Sequence, residues 1–197
     1  MSVTKIPVCC AIVCIAGIAA AQTPPAPAAQ APPASAGPAV ATPTYTSIPL
    51  EITVNRSAAD TWKRVGKFCD IGEWLQIPCT ITSGKDGEFG AVRSVANEVL
   101  VGKTELSYTY TQTVRNDRPY NLYHGTLEAR PVTATTSKLV YTIFFDNSMV
   151  GDDAAREADK TRRTATFTRA LQNMKTLAEG GTLSPPPARG RGAQPAR

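Results

Sequence analysis

Hydrophobic and polar positions between residues 45 and 183 repeat with two different periods, which predict strands and helices. The clearest case is LSYTYTQTV, residues 106–114, where Leu106, Tyr108 and Tyr110 alternate with serine and threonine. This period of two predicts a half-buried strand with the aromatic side chains on one face. The same criteria predict three further strands, which are residues 46–54, LYHGTLEAR (122–130) and KLVYTIFF (138–145).

Turn signals separate these strands and predict shorter ones between residues 78 and 97. CTITS and AVRSVAN flank SGKDGEFG, in which the Asp86-Gly87 pair is typical of a hairpin turn. NDRPYN and PVTATTS predict the turns between the later strands. Residues 97–105 stay open, because EVLVG fits either a short separate strand or the continuation of a neighbouring one.

Two short helices are predicted after the first strand. Ser57 stands at a typical N-cap position, with Asp60 near the positive end of the helix dipole. A helical face follows, formed by Ala58, Trp62, Val65 and Cys69. IGEWLQ allows one more turn before Pro78, so we expect a bent helix pair.

A long helix is predicted from about Asp152 to Glu179, at the end of the patterned region. Asp152 and Asp153 suit its N-terminus, and Gly180-Gly181 ends it. Its second half carries an apolar stripe at helical spacing, formed by Phe167, Ala170, Leu171, Met174, Leu177 and Ala178. A helix of this length can cross a whole sheet.

The first 21 residues have the form of a cleavable signal peptide. Lys5 precedes an apolar run, Ile6–Ile18, and Ala19-Ala20-Ala21 has the small-x-small form of a cleavage site. The apolar run is too short to span a bilayer comfortably. We therefore predict a periplasmic or secreted protein, cleaved near Ala21, with no transmembrane segment in the mature chain.

Composition divides the remaining chain into a linker, one domain and a tail. Residues 22–44 contain seven proline and eight alanine residues and no charge, so they predict a disordered linker. Residues 45–183 are long enough for one domain with one core. Residues 184–197 predict a disordered tail rich in proline, arginine and glycine.

The formal net charge of +5 is concentrated outside the domain. Four of the 21 basic residues lie in the signal segment and the tail, which leaves 17 basic and 16 acidic residues in the domain. A nearly neutral domain lacks the basic stripe with which proteins follow a phosphate backbone. We therefore expect no nucleic-acid partner.

Two of the five cysteines, Cys69 and Cys79, lie outside the predicted signal peptide. In an oxidising compartment this pair favours a structural disulfide, with two free buried thiols as the alternative. No further cysteine or nearby histidine completes a zinc site, and DNSMVGDD (146–153) lacks the ligand spacing of a calcium loop. We predict no metal and no cofactor.

Four segments give the chain a family resemblance, namely VNRSAADTWKRVGKFCDIGEW (54–74), GAVRSV (90–95), YHGTLEA (123–129) and YTIFF (141–145). With the order of strand, helix pair, strands and long helix, they resemble the START-like helix-grip superfamily. The closest likeness is to its SRPBCC group, the bacterial polyketide cyclase/dehydrase and lipid-transport type. The resemblance implies an α+β fold in which a curved antiparallel sheet grips the final helix around an elongated cavity. The family commonly has six strands after the helix pair, and the pattern here predicts five.

The implied cavity supplies a set of candidate ligand-binding residues. They are Trp74, Arg93, Tyr108, Tyr110, Tyr123, Tyr141, Phe145, Phe167 and Leu171. Four converging tyrosine hydroxyls each need a hydrogen-bond partner, which a guest molecule or a trapped water can supply. The alternative is that these side chains only fill the core. A slip of one residue in strand register would reverse every inward position.

No catalytic residue is predicted. His124, the only histidine, falls on the outer face together with Glu128, and Glu105 has the same outward parity. A general base there cannot reach a guest inside the sheet. An inward-pointing Arg93 would orient a carboxylate or an enolate, and the alternative is an ordinary ion pair with a neighbouring glutamate.

Three functions are compatible with these features. The favoured one is an exported protein that binds a hydrophobic small molecule or a lipid within the grip. The second is a cyclase or isomerase that acts on a conjugated carbonyl or polyketide-like substrate, with tyrosine and Arg93 as polarising groups. Binding is preferred because no histidine or carboxylate is predicted to face inward. The third is a stress or envelope protein whose cavity is vestigial.

Overall fold

Seven antiparallel strands form one sheet in the computed structural model, which describes residues 42–113 and 117–185. The strands are β1 Tyr45–Val54, β2 Ile81–Ser83, β3 Val92–Arg93, β4 Glu98–Thr104, β5 Ser107–Gln112, β6 Asn121–Pro131 and β7 Ser137–Asp146. The helices are α1 Ala58–Val65, α2 Ile71–Trp74 and α3 Asp153–Ala178. The predicted signal peptide and most of the predicted linker and tail lie outside the described residues.

The strand order confirms the predicted helix-grip architecture. The sheet runs β1-β7-β6-β5-β4-β3-β2, so the first strand pairs with the last one. Residues 97–105, which the pattern left open, contain β4, and six strands therefore follow the helix pair. The register between β4 and β5 shifts between Leu100 and Gly102. Such an irregularity breaks the alternation that marks a strand in sequence.

Local sequence determines both ends of α1. Ser57 accepts a hydrogen bond from the backbone N–H of Asp60 at 3.1 Å, as expected for an N-cap. At the other end, a Cβ on Gly66 would lie 2.3 Å from Trp62 Cδ2, so glycine allows the chain to pass close to this ring. The helix ends at Val65, and Cys69 lies in the turn before α2 rather than on the predicted helical face.

Alternating side chains of the central strands build the core. Alternate residues of β5, β6 and β7 are buried, as predicted, except half-buried Gln112 and exposed Pro131 at the strand ends, and the inward aromatic side chains are at most 3% exposed. The second half of α3 contributes Ala170, Leu171, Met174 and Leu177. Removing this apolar surface from water is the main stabilising contribution to the fold.

The two halves of α3 differ in environment. Asp152 caps the helix by accepting a hydrogen bond from the Ala155 N–H at 2.7 Å. In the second half, Asn173 Nδ2 donates to the Trp74 carbonyl oxygen at 2.8 Å. Lys175 Nζ donates to the carbonyl oxygen of Thr53 in β1, at a distance of 3.0 Å. The second half therefore closes the core, while side chains of the first half are exposed or half-buried.

A disulfide joins Cys69 and Cys79, as the cysteine count predicted. The two Cα atoms are 5.6 Å apart, and the residues are separated by ten positions in sequence. The bond ties the turn between α1 and α2 to the segment before β2.

Removing this disulfide is expected to destabilise the protein. For the double variant C69S/C79S we expect the free energy of unfolding to fall by about 2–3 kcal/mol, because the short loop is no longer closed in the unfolded chain. Urea unfolding followed by circular dichroism measures the change. Wild-type protein kept in dithiothreitol is the control and should match the double variant. A loss below about 0.5 kcal/mol would contradict a structural role.

Candidate functional site

Tyrosine side chains pack against one another between the sheet and α3. The hydroxyls of Tyr110 and Tyr141 form a hydrogen bond at 2.7 Å. Tyr123 stacks on Phe145 with ring centroids 5.8 Å apart. A Cβ on Gly125 would lie 2.3 Å from Tyr110 Cζ, so glycine leaves space for this ring. Part of the hydrogen-bonding requirement of the buried hydroxyls is thus met within the cluster.

Arg93 and Glu98 form a buried ion pair beside this cluster. β3 and β4 place the two residues opposite each other, and their side chains are 0% and 4% exposed. Arg93 Nε donates to Glu98 Oε2 at 2.6 Å, and Arg93 Nη1 donates to the Phe68 carbonyl oxygen at 2.5 Å. The guanidinium carbon lies 4.2 Å from the Phe68 ring centroid and 4.6 Å from that of Tyr110. Arg93 is therefore both inward and paired with a neighbouring glutamate.

Burial is the largest influence on the pKa values of these groups. Desolvation lowers the pKa of Arg93, but Tyr108 and Glu98 outweigh it, so the pKa is raised and the guanidinium stays protonated. Desolvation raises the pKa of Glu98, and Arg93 acts in the opposite direction. Desolvation also raises the pKa of four buried phenols, those of Tyr108, Tyr110, Tyr123 and Tyr141. These phenols are hydrogen-bond donors rather than bases near neutral pH.

A cavity of about 670 Å³, here called the first cavity, opens beside the ion pair. The turn after α1, the loop between β2 and β3, and the turn between β4 and β5 enclose it. Its apolar walls are Trp62, Phe68, Phe89, Leu100 and Tyr108. Its charged rim consists of Lys67, Asp86, Lys103 and Glu105. Phe89 is 65% exposed, which makes it the least buried apolar wall residue.

Tyr108 connects the first cavity to the core. Its ring packs against Trp62 and Phe68, with both centroid distances at 5.6 Å. Its hydroxyl is buried next to the Arg93 guanidinium, away from the cavity, and forms no well-aligned hydrogen bond with any described residue. The ring of Tyr108 is thus a candidate contact for a ligand.

The nine predicted ligand-binding residues occupy different environments. Tyr108 lines the first cavity. Tyr123 borders a small cavity of about 10 Å³, and Phe167 borders another of about 240 Å³. The remaining six are buried in the core, namely Trp74, Arg93, Tyr110, Tyr141, Phe145 and Leu171. Their contact with a ligand stays a prediction.

Several residues of the first cavity were not among the candidates. Trp62 and Leu100 lie on the helix and the strand that line it, and Phe89 and Lys103 lie beside its opening. Lys103 Nζ donates to the Gly87 carbonyl oxygen at 2.5 Å and lies 5.9 Å from the Phe89 ring centroid. The sequence signal for this cavity was GKDGEFG, residues 84–90. A phenylalanine in a glycine-rich turn cannot pack into the core, and an exposed aromatic side chain often marks a binding site.

His124 is half-buried on the outer face of β6, as predicted, with Nδ1 at 2.7 Å from the Leu122 carbonyl oxygen. Among the described residues, no three histidine, cysteine, aspartate or glutamate side chains lie close enough to hold a metal ion. No helix within residues 42–113 and 117–185 is long and apolar enough to cross a membrane. The disulfide is compatible with an extracellular location.

Neutralising one member of the ion pair is expected to destabilise the fold. E98Q leaves the Arg93 charge buried and uncompensated, so the free energy of unfolding should fall by about 3 kcal/mol. R93M/E98M removes both charges and should lose less. Urea unfolding compares the two variants with wild type. A change within about 0.5 kcal/mol in E98Q would contradict a structural role for the pair.

The buried phenols predict a loss of stability at alkaline pH. Their folded-state pKa values exceed the unfolded value of about 10, so their contribution is complete below about pH 10 and decreases as pH rises through the raised values. Each phenol adds a slope of about −1.4 kcal/mol per pH unit. Urea unfolding between about pH 8 and about pH 11 measures it. Y110F should show a shallower decrease, and pH-independent stability would contradict the prediction.

A family model described as polyketide cyclase / dehydrase and lipid transport matches residues 45–179. No match was found among curated proteins. The similar solved structures include the Zhui aromatase/cyclase from a Streptomyces species, with 16% identity, coverage of 71% of this chain and 100% of that chain, and a TM-score of 0.54.

Two further solved structures share the fold. A solution NMR structure from Thermobifida fusca has 20% identity, covers 70% of this chain and 97% of its own, and has a TM-score of 0.53. Norcoclaurine synthase from Thalictrum flavum, in complex with dopamine and hydroxybenzaldehyde, has 13% identity, coverage of 68% and 87%, and a TM-score of 0.53. These likenesses establish the fold alone. The family match across the whole sheet and α3 shows that the chain belongs to the polyketide cyclase / dehydrase and lipid transport family.

Proposed function

We propose that the protein is an exported binding protein for a hydrophobic or amphipathic small molecule, held in the first cavity. The observation that carries this proposal is a cavity of about 670 Å³ with walls formed largely by the rings of Trp62, Phe68, Phe89 and Tyr108. Small-molecule sites typically measure about 300–1,000 Å³ and combine apolar walls with a few polar groups.

The proposed position differs from the elongated cavity expected between the sheet and α3. Tyr141 is fully buried there, packs edge-on against Trp74 at 6.1 Å, and binds the hydroxyl of Tyr110. Close packing in the middle leaves the space for a guest at the end of the grip, beside α1 and the β4–β5 turn. This arrangement favours a ligand site over a vestigial cavity, because Tyr108 borders open space.

The chemistry of the walls favours a particular class of guest. Trp62, Phe68 and Phe89 offer ring faces to an apolar or aromatic body. Tyr108 adds a further ring to these walls, while its hydroxyl is directed to Arg93. Lys103 beside the opening suits a polar outer end.

Catalysis of a cyclisation or isomerisation is the second candidate. Tyr108 and the guanidinium of Arg93 could polarise a carbonyl group, and one structural neighbour is named an aromatase/cyclase. Such chemistry also needs a base. The phenols are protonated, Glu98 is engaged by Arg93, and His124 lies on the opposite face of the sheet. Binding without turnover therefore has the better support.

Export is part of the same proposal. The predicted signal peptide, residues 1–21, supports secretion or a periplasmic location, and the proline- and alanine-rich residues 22–44 separate it from the domain. The Cys69–Cys79 disulfide supports an oxidising compartment.

Truncating Phe89 is expected to weaken binding of an uncharged fluorescent probe, N-phenyl-1-naphthylamine. F89A should raise the dissociation constant about fivefold, since covering roughly 40 Å² of ring surface contributes about 1 kcal/mol. F144A is the matched control, because Phe144 is an exposed outer-face residue stacked on Tyr45 at 5.1 Å. Equal affinity of F89A and F144A, or no binding by wild type, would contradict a site in the first cavity.

Native mass spectrometry of protein purified from its own host separates the two candidate functions. A co-purifying hydrophobic molecule or lipid supports binding. Unliganded protein that converts an aromatic polyketide mimic supports catalysis, and Y108F should then reduce turnover.

A further inference from the structure

A second cavity of about 240 Å³ lies at the opposite end of the grip from the first. The segment before β6 and the first half of α3 form its walls. Its lining includes Arg118, Tyr120, Arg162, Arg163, Thr166 and Phe167. Three of these side chains are guanidinium groups, and none of the lining residues is acidic. We call this cavity the arginine pocket.

Arg163 is held in a defined position at this site. Its Nε donates to Asp159 Oδ2 at 2.6 Å, and its side chain is 14% exposed. The guanidinium carbon lies 4.6 Å from the ring centroid of Phe145, 4.7 Å from that of Tyr120 and 5.5 Å from that of Tyr123. Ring faces and a carboxylate orient the planar group before any ligand binds, which lowers the entropy cost of binding.

The charges around the pocket are not balanced. Asp159 pairs with both Arg162 and Arg163, so one carboxylate serves two guanidinium groups. Arg118 is exposed and has no hydrogen bond or ion pair with any described residue. Three cations and one anion leave two positive charges without compensation among these four side chains.

Tyr120 links the floor of the pocket to the core. Its hydroxyl donates to Gln112 Oε1 at 2.7 Å, and Gln112 Nε2 donates to Glu98 Oε1 at 2.9 Å. The position of Tyr120 is therefore fixed, through Gln112, by Glu98, the carboxylate that also pairs with Arg93. A fixed aromatic ring beside guanidinium groups suits a ligand that has a flat or apolar part next to its charge.

We propose that the arginine pocket is a separate binding site for an organic anion, in which a carboxylate or phosphate is joined to a small aromatic or apolar group. Guanidinium groups bind both oxyanions through paired N–H donors. Tyr120 and Phe167 contact the apolar group. The volume suits a small molecule or the headgroup of an anionic lipid. This site does not depend on the function proposed for the first cavity.

Phenyl phosphate and phenol, its uncharged analogue, test the proposal by isothermal titration calorimetry. R118Q should weaken phenyl phosphate binding about three- to fivefold, and R118Q/R162Q should weaken it by about tenfold or more. Phenol should bind more weakly than phenyl phosphate to wild type, and added salt should reduce the difference. Backbone amide shifts in NMR spectra should concentrate near Tyr120 and Thr166.

R56Q is the matched control, because it also removes one arginine charge, from an exposed position just after the C-terminal end of β1. The first residue of β7 pairs with Val54, close to Arg56, and its last residue pairs with Asn121, close to the arginine pocket. The length of β7 therefore places Arg56 about 30 Å from the pocket. R56Q should bind phenyl phosphate like wild type. Equal losses in R118Q and R56Q would show only a general charge effect and would overturn the proposal.

Vesicles of phosphatidylcholine containing phosphatidate distinguish a lipid headgroup from a free anion. Cosedimentation that R118Q reduces and R56Q retains supports a lipid source. Phenyl phosphate binding without cosedimentation supports a soluble anion. Absence of binding to both probes, or binding that R118Q/R162Q leaves unchanged, would overturn the site.

Discussion

The buried guanidinium of Arg93 is the constraint on which the rest of the structure depends. A charge removed from water must be compensated within the protein, and Glu98 and the Phe68 carbonyl oxygen provide this compensation. These contacts join β3, which is only two residues long, and β4 to the turn after α1. The disulfide from Cys69 holds the same turn from the other side. The two walls of the first cavity are thus fixed by one ion pair and one covalent bond.

The middle and the ends of the grip differ in packing, and this difference determines where ligands fit. Tyr110, Tyr123 and Tyr141 fill the middle, because each aromatic ring buries a large area and the hydroxyls partly satisfy one another. The first cavity and the arginine pocket lie at opposite ends and offer different chemistry. The first cavity is lined mainly by ring faces, and the arginine pocket combines guanidinium groups with two rings. A hydrogen-bonded chain through Gln112 and Glu98 runs between them.

Much of the fold was predictable because local patterns and tertiary packing agree. Alternation in β5, β6 and β7 predicted their buried faces, and Ser57 and Asp152 cap the helices as expected. Two cysteines outside the predicted signal peptide were enough to favour the disulfide. The sequence left β4 open between a separate strand and a continuation of a neighbouring one, because three consecutive apolar residues, Val99 to Val101, precede the register shift at Gly102.

The sequence alone determined the order of most elements and their buried faces, since these follow from periodicity and short-range capping. The family was indicated separately, by the resemblance of four segments to known members. The sequence also predicted that Tyr108 points inward, whereas it left the direction of Arg93 open, because the strand around Arg93 does not alternate cleanly. Only the tertiary structure decided that Tyr141 packs solidly while Tyr108 borders open space, and that Phe89 reaches that space from a loop. Periodicity reports which way a side chain points, whereas an empty volume depends on residues brought together from distant parts of the chain.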